Sequence, residues 1–289
     1  MSSAAGRRSP GSPHLMNRME VPAMAEYIDR KQIKSQARAL LRDAQVPPRA
    51  FFALYLSMTL LLDLAASLAT GDSDMMKIFA HPLGLFVVIL VNLLGLILGV
   101  GVYLYCFAIR RGERSEYLTL FDGFSFTGKI LLLYAVEYLF VILWCCLLIV
   151  PGVVAGYRYR FAVLNLCENP SLGVMEAIDM SKRQTYGYKG QLFALDVSYL
   201  AWILLANVGT IYFDAAYQLS VWGAALPGLS MAAWLQTLIG DAITVAVGIF
   251  YLPSYHLSNL SYFDAAKHSS GVGAGLVPRD PGPDDLGGF

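Results

Sequence analysis

The feature that most restricts this chain is a series of long apolar runs separated by short polar stretches. Residues 50–69, 83–109, 130–150, 192–211 and 235–252 each approach the ~20 helical residues needed to cross a hydrocarbon core. A sixth run, 153–166, is shorter and would rise only ~21 Å as a helix. Hydrophobic residues make up 56% of the 289 and charged residues 15%, a balance suited to lipid rather than to a water-soluble domain. The expected fold is all-α: a polytopic transmembrane helical bundle of about six spans, with amphipathic interfacial helices. Residues 1–28 read as a disordered leader with Met16, Met19 or Met24 as alternative starts, and 29–46 as an amphipathic cytoplasmic helix. Residues 50–265 form the membrane domain and 266–289 a Gly/Pro/Asp-rich disordered tail.

Basic residues orient the spans. Of the 21 Lys and Arg, nine precede the first span and only Lys77 lies in the loop after it. Arg110, Arg111, Arg114 and Lys129 lie between spans two and three, and Lys182, Arg183 and Lys189 come before span five. With six crossings this places the basic loops on one side, as the positive-inside rule asks, and both termini in the cytoplasm of a bacterial plasma membrane. In the first helix Ile33, Ala37, Leu40 and Leu41 form an apolar stripe beside five basic residues, after an Asp29 cap. Such a helix suits an anionic membrane surface. No nucleic-acid recognition fold accompanies it, so lipid headgroups are the expected partner, together with the bilayer itself and a homo-oligomer or other membrane proteins.

Catalytic motifs are lacking. The four cysteines (Cys106, Cys145, Cys146, Cys167) form no CxxC pair and the four histidines no HExxH, so neither metal nor cofactor is expected. Gly123 to Lys129 fits the GxxxxGK half of a P-loop, but Ile130 stands where Ser or Thr belongs and two loop positions are Phe. It reads instead as an interfacial turn. A GxxxG pair, Gly95 and Gly99, suits close helix contact.

The stretch 150–193 organises the rest. It opens on a helix break at Pro151-Gly152, carries Arg158 and Arg160 through an apolar run, and turns at Glu168-Asn169-Pro170. A short interfacial helix over 171–186 follows, with Ser171 as cap, Leu172, Met175 and Ile178 on one side, and Asp179 able to pair with Arg183. Arg111-Gly112-Glu113, Leu120-Phe121-Asp122-Gly123-Phe124, Val150-Pro151-Gly152, Glu168-Asn169-Pro170, Ala177-Ile178, Ser181-Lys182-Arg183, Trp202 and Leu252-Pro253-Ser254-Tyr255 resemble a bacterial integral membrane family catalogued as domain of unknown function 975. The resemblance covers about residues 29–265 and departs in the paired arginines of span four. It implies a polytopic bacterial membrane protein and carries no assigned activity.

Chemistry must then lie in charges inside the membrane, which are costly and mark functional sites by default. There are six: Asp63, Glu137, Arg158, Arg160, Asp196 and Asp241. At ~1.5 Å per residue, Glu137, Arg160 and Asp196 fall roughly 6–12 Å from the cytoplasmic boundary, and Asp63, Arg158 and Asp241 roughly 8–10 Å from the external one. Two positions apart on a helix, Arg158 and Arg160 point to opposite sides, so a two-layer network is expected, with Arg160 pairing Glu137 and Asp196 as third member. Tyr157, Tyr159, Tyr186 and Tyr188 read as belt or packing residues. The function expected is a non-enzymatic envelope structural or interaction component; the alternative is a small-solute or lipid transporter using the acid/arginine network.

Overall fold

The structure, a computed structural model, describes residues 27–70, 82–221, 223 and 231–273. Among them the chain is helical, with no strand. Residues 1–26 of the expected leader, the loop bearing Lys77 and residues 274–289 of the expected tail lie outside the described residues.

Helix α1 (Arg30–Asp43) is capped by Asp29, whose carboxylate accepts the Lys31 N–H at 2.9 Å. Helices α2 (Pro48–Thr70) and α3 (Pro82–Arg111) follow, then a 3-10 segment (Tyr117–Phe126) leading into α4 (Thr127–Leu147). Two short helices, α5 (Ile149–Tyr159) and α6 (Ala162–Glu168), precede α7 (Val174–Gln184). Helices α8 (Lys189–Ala206), α9 (Val208–Val221) and α10 (Ala233–Ser270) complete the chain. Five helices are long and apolar enough to cross a membrane: α2, α3, α4 with its 3-10 lead, α8 and α10. The protein is a multi-pass helical membrane bundle.

Contacts establish how the helices run. Phe51 stacks on Tyr105, centroids 3.7 Å apart, and Tyr55 reaches Gly99, so α2 and α3 are antiparallel. Ser67 meets Thr237 at 3.3 Å and Leu56 packs on Gly248, so α10 descends beside α2 in one register. Tyr199 of α8 reaches Ser254, Thr244 reaches the Ala206 carbonyl, and Gly209 of α9 lies on Gly240, so α8 and α9 together line α10.

The fourth expected span is realised differently. The chain reverses at Leu148, which is extended (φ −161°, ψ 144°), three residues before the expected break at Pro151-Gly152. Pro151 lies in the first turn of α5, where its missing N–H costs no hydrogen bond. Gly152 instead lets α5 lie directly on Cys145 of α4. The return leg is not one helix over 153–166: α5 ends at Tyr159 and α6 begins at Ala162. Asn169 and Pro170 bring it back to the start of α4, where the Lys129 ammonium donates to the Leu172 carbonyl at 3.2 Å and also to that of Pro170.

The two ends of the bundle are packed unequally. The core gathers at the end that holds α1: Phe51 and Phe52, the second half of α3, all of α6 but Glu168, and the α10 residues from Leu257 to Ala266. Toward the other end, Leu68, Leu83, Phe86, Leu143, Leu148, Ile149 and Leu204 are exposed. Those apolar faces suit lipid, whereas the packed end is built as a water-soluble core would be. Helix α1 belongs to it. Its Ile33 and Ala37 face is buried against protein, not laid on a bilayer, and the Ile28 N–H donates to Gln191 of α8 at 3.1 Å. Helix α10 runs to Ser270, past the expected boundary at 265.

Close backbone approach falls on glycines other than the GxxxG pair. A methyl on Gly95 would touch nothing within 4 Å, but one on Gly101 would meet the Leu120 backbone. At Gly123 it would lie 2.7 Å from the Ile97 carbonyl. The 3-10 segment therefore lies flat on α3, which is the structural use of the LFDGF element. Gly209 and Gly240 likewise bring α9 and α10 together. Gly101→Ala is expected to lower stability by about 1–3 kcal/mol through overpacking, while Gly95→Ala should cost nothing; thermal unfolding of the two variants in detergent is the check.

Candidate functional site

The break between α5 and α6 interrupts the helical hydrogen bonding from Arg158 to Phe161, beside the buried side chains of Tyr159 and Phe161. Helix α7 repairs it. The Ser181 hydroxyl accepts the Phe161 N–H at 3.1 Å and donates to the Arg158 carbonyl at 2.9 Å, and Thr185 donates to the same carbonyl at 3.3 Å. Ser181 and Thr185 are fully buried, and Asn165 of α6 exchanges two 2.9 Å hydrogen bonds with Gln184. The buried side of α7 is thus Ala177, Ile178, Ser181 and Gln184, with Met175 exposed rather than lining it. The cap is Gly173, whose N–H is received by Glu176 at 3.4 Å, while Ser171 bonds Asn169. Asp179 pairs with Lys182 at 2.7 Å instead of Arg183, and that ammonium holds the carboxyl below its usual range.

Breaking the helix at Arg160 swings its side chain into the bundle. Its guanidinium forks onto Asp196 of α8, at 2.7 Å to Oδ2 and 3.0 Å to Oδ1, and donates to the Tyr255 hydroxyl of α10 at 2.8 Å. Tyr157 donates to Asp196 Oδ2 at 2.7 Å and Tyr255 to Oδ1 at 3.1 Å. The guanidinium carbon also lies 5.7 Å and 5.8 Å from the Tyr157 and Tyr255 ring centres, near enough for cation–π attraction. A carboxylate offers about four acceptor sites, and Asp196 has all four occupied. Tyr157 is therefore a hydrogen-bonding member of the site rather than a belt residue.

The other sequence-selected charges stand apart. Arg158 is exposed, on the side of α5 away from Arg160, and forms no ion pair among the described residues, so the second layer does not form around it. Of the two acids expected around Arg160, Asp196 pairs with it and Glu137 does not; Glu137 keeps one buried oxygen without a hydrogen-bond partner among the described residues. Because Ser67 meets Thr237 and Leu56 meets Gly248, the same antiparallel register sets Asp63 level with Asp241 across α2 and α10. Asp63 lines a pocket of about 400 Å³ with Tyr55, Thr59, Asn92 and Tyr138. One oxygen of Asp241 is buried without a partner among the described residues.

Two ion pairs were not legible in the sequence. Lys267, assigned there to the tail, is 6% exposed and lies 2.7 Å and 2.6 Å from the two oxygens of Glu168 at the end of α6. Arg110, at the foot of α3, meets Asp264 of α10. The Glu-Asn-Pro turn marked Glu168 as notable, but nothing local pointed to a partner 99 residues away. Among the described residues, no cluster of His, Cys, Asp or Glu could hold a metal ion.

Residues 146–267 match a family model described as "Protein of unknown function (DUF975)". That window contains Arg160, Asp196 and Tyr255, the Ser181 bridge, and both Glu168 and Lys267 at its far end. No curated protein and no solved structure gives a match to the chain. Removing one member of a buried ion pair leaves the other uncompensated, at about 3–5 kcal/mol. Arg160→Met and Asp196→Leu should each lower stability by that amount, and the double variant by much less than their sum. Denaturation in mixed micelles reads the cycle, and simple additivity would rule the coupling out.

Proposed function

We propose that this protein is a non-enzymatic component of a bacterial plasma membrane, a multi-pass scaffold that assembles with itself or with other envelope proteins. The observation that carries this reading is the closed Arg160 site. With four donors on Asp196, and Arg160 engaging both Asp196 and Tyr255, the carboxylate of this arginine node has no acceptor site left for a cation or substrate. Its members come from the return leg, α8 and α10, so its evident work is to hold three elements in register.

Orientation follows the same reasoning. The basic residues of α1, of the Arg110 to Arg114 turn, of α7 and of Lys189 gather at the packed end, together with the foot of α10. This supports a cytoplasmic placement for that end and for both ends of the described chain. In a background without native cysteines, Glu113→Cys and Asp179→Cys should label from the cytoplasmic side, and Ser220→Cys from the opposite side. Labelling of all three from one side would overturn the arrangement.

A second reading rests on the Asp63 pocket. A polar cavity between α2, α3 and α4, with Asp241 level across α10, is the kind of place where a small cationic solute could be held. Flux separates the two. Purified protein in sealed vesicles should leave an imposed proton or potassium gradient as long-lived as protein-free vesicles do. A gradient dissipated by the wild-type chain and preserved by Asp63→Asn would replace the scaffold reading with transport.

A further inference from the structure

We infer that α1 and the start of α2 form a headgroup site for an anionic phospholipid, whose acyl chains run along Ile249 and Phe250 of α10. The inference begins with spacing. Arg30, Lys34, Arg38 and Arg42 recur every fourth residue, which on a helix stacks four positive charges on one side. Like charges at that spacing destabilise a helix, so the pattern works against α1 itself. The crowding is felt at Lys34, whose ammonium is pushed below its usual range first by burial and then by Arg38 and Arg30. Because Ile33 and Ala37 are taken up by the protein core, the basic stripe is not merely the wet side of a helix lying on a bilayer.

The stripe ends at a pocket. Arg38, Arg42 and Arg49 line a cavity of about 450 Å³ whose other wall is Ile249, Phe250 and Pro253, and no carboxylate lines it. Among the described residues none of the three arginines has a carboxylate within ion-pair distance. Three exposed guanidiniums without counter-charges, side by side, fit one phosphodiester, which accepts their forked N–H pairs. Pro253 also removes the N–H that the Ile249 carbonyl would otherwise receive, leaving an acceptor at the wall for a headgroup hydroxyl.

The apolar wall selects a lipid over a soluble phosphate. Phe250 is 62% exposed and its ring lies 5.6 Å from the Arg49 guanidinium. By the register of α2 against α10, Phe250 is level with Leu54, more than a turn deeper into the spans than Arg49. The site is therefore cationic at the foot of α2 and apolar immediately above it, the polarity order of a phospholipid standing in a leaflet.

The test uses the full-length chain in a mild detergent, with dioleoyl phosphatidylglycerol, dioleoyl phosphatidylcholine and inorganic phosphate as probes, bound lipid being read by native mass spectrometry. Phosphatidylglycerol should be retained in preference to phosphatidylcholine. The Arg42→Gln/Arg49→Gln double variant should lose about 25-fold in affinity for phosphatidylglycerol, taking about fivefold for each basic residue near a headgroup. Its retention of phosphatidylcholine and that of the Arg114→Gln control should not change. For the wild-type chain, raising sodium chloride from about 50 to about 500 mM should weaken phosphatidylglycerol retention, since exposed charges are screened; this arm stands even if the double variant does not fold. Equal retention of the two lipids, an unaltered double variant or a salt-independent affinity would each overturn the inference. Displacement of the lipid by inorganic phosphate at equal concentration would do the same, assigning the arginines to a free anion.

Discussion

A buried chain break must have its backbone polar groups satisfied from elsewhere, and this structure depends on how that is done between Arg158 and Phe161. A lipid-facing interruption would leave an N–H and a carbonyl stranded at a cost of several kcal/mol. Here α6, on one side of the interruption, is buried among its neighbours, and one hydroxyl, Ser181, serves both groups. The consequences spread outward. Helix α7 must lie against the break to deliver Ser181 and Thr185, which fixes the Glu168 to Pro170 turn. The break also turns Arg160 inward, which draws Asp196, Tyr157 and Tyr255 around it. Charge inside the bundle thus follows from a backbone requirement.

The two ends of the bundle answer to different solvents. Near α1, side chains interlock around Tyr105, Phe161 and Phe263 as they would in a globular protein. At the far end apolar residues point outward from each helix, and packing between helices is thin. Lipid covers such surfaces as well as protein does, so nothing drives these helices together there. Glycine positions mark the exceptions, where Gly209 meets Gly240 and backbones approach closely.

Much of the architecture was legible in the sequence, because a run of about 20 apolar residues has few alternatives in a membrane. The starts of α2, α3, α4 and α8 lie within three residues of the expected ones. What escaped was direction and partner. Apolarity alone cannot tell one 14-residue helix from two short ones in series, so the break at Arg160 was invisible and the break assigned to Pro151-Gly152 fell three residues late. Equal depth suggested Glu137 for Arg160, but pairing depends on the rotation of each helix about its axis, and Asp196 and Tyr255 are the residues turned inward. The stripe on α1 shows the same ambiguity: an apolar face records that something covers it, not whether lipid or protein does.

Helix α10 carries one further consequence. Tyr255 closes on Arg160, Lys267 on Glu168, Asp264 on Arg110, and the same helix covers α1 and α2. Every one of these partners leaves the ribosome earlier than the residue that satisfies it. Until α10 is in place, the acid on α6 and the arginine on α3 lack these partners, and α1 lacks the helix it packs on most. The last helix is thus a clasp: Glu168 and Arg110 find their ion-pair partners only when the final stretch of the bundle is in place.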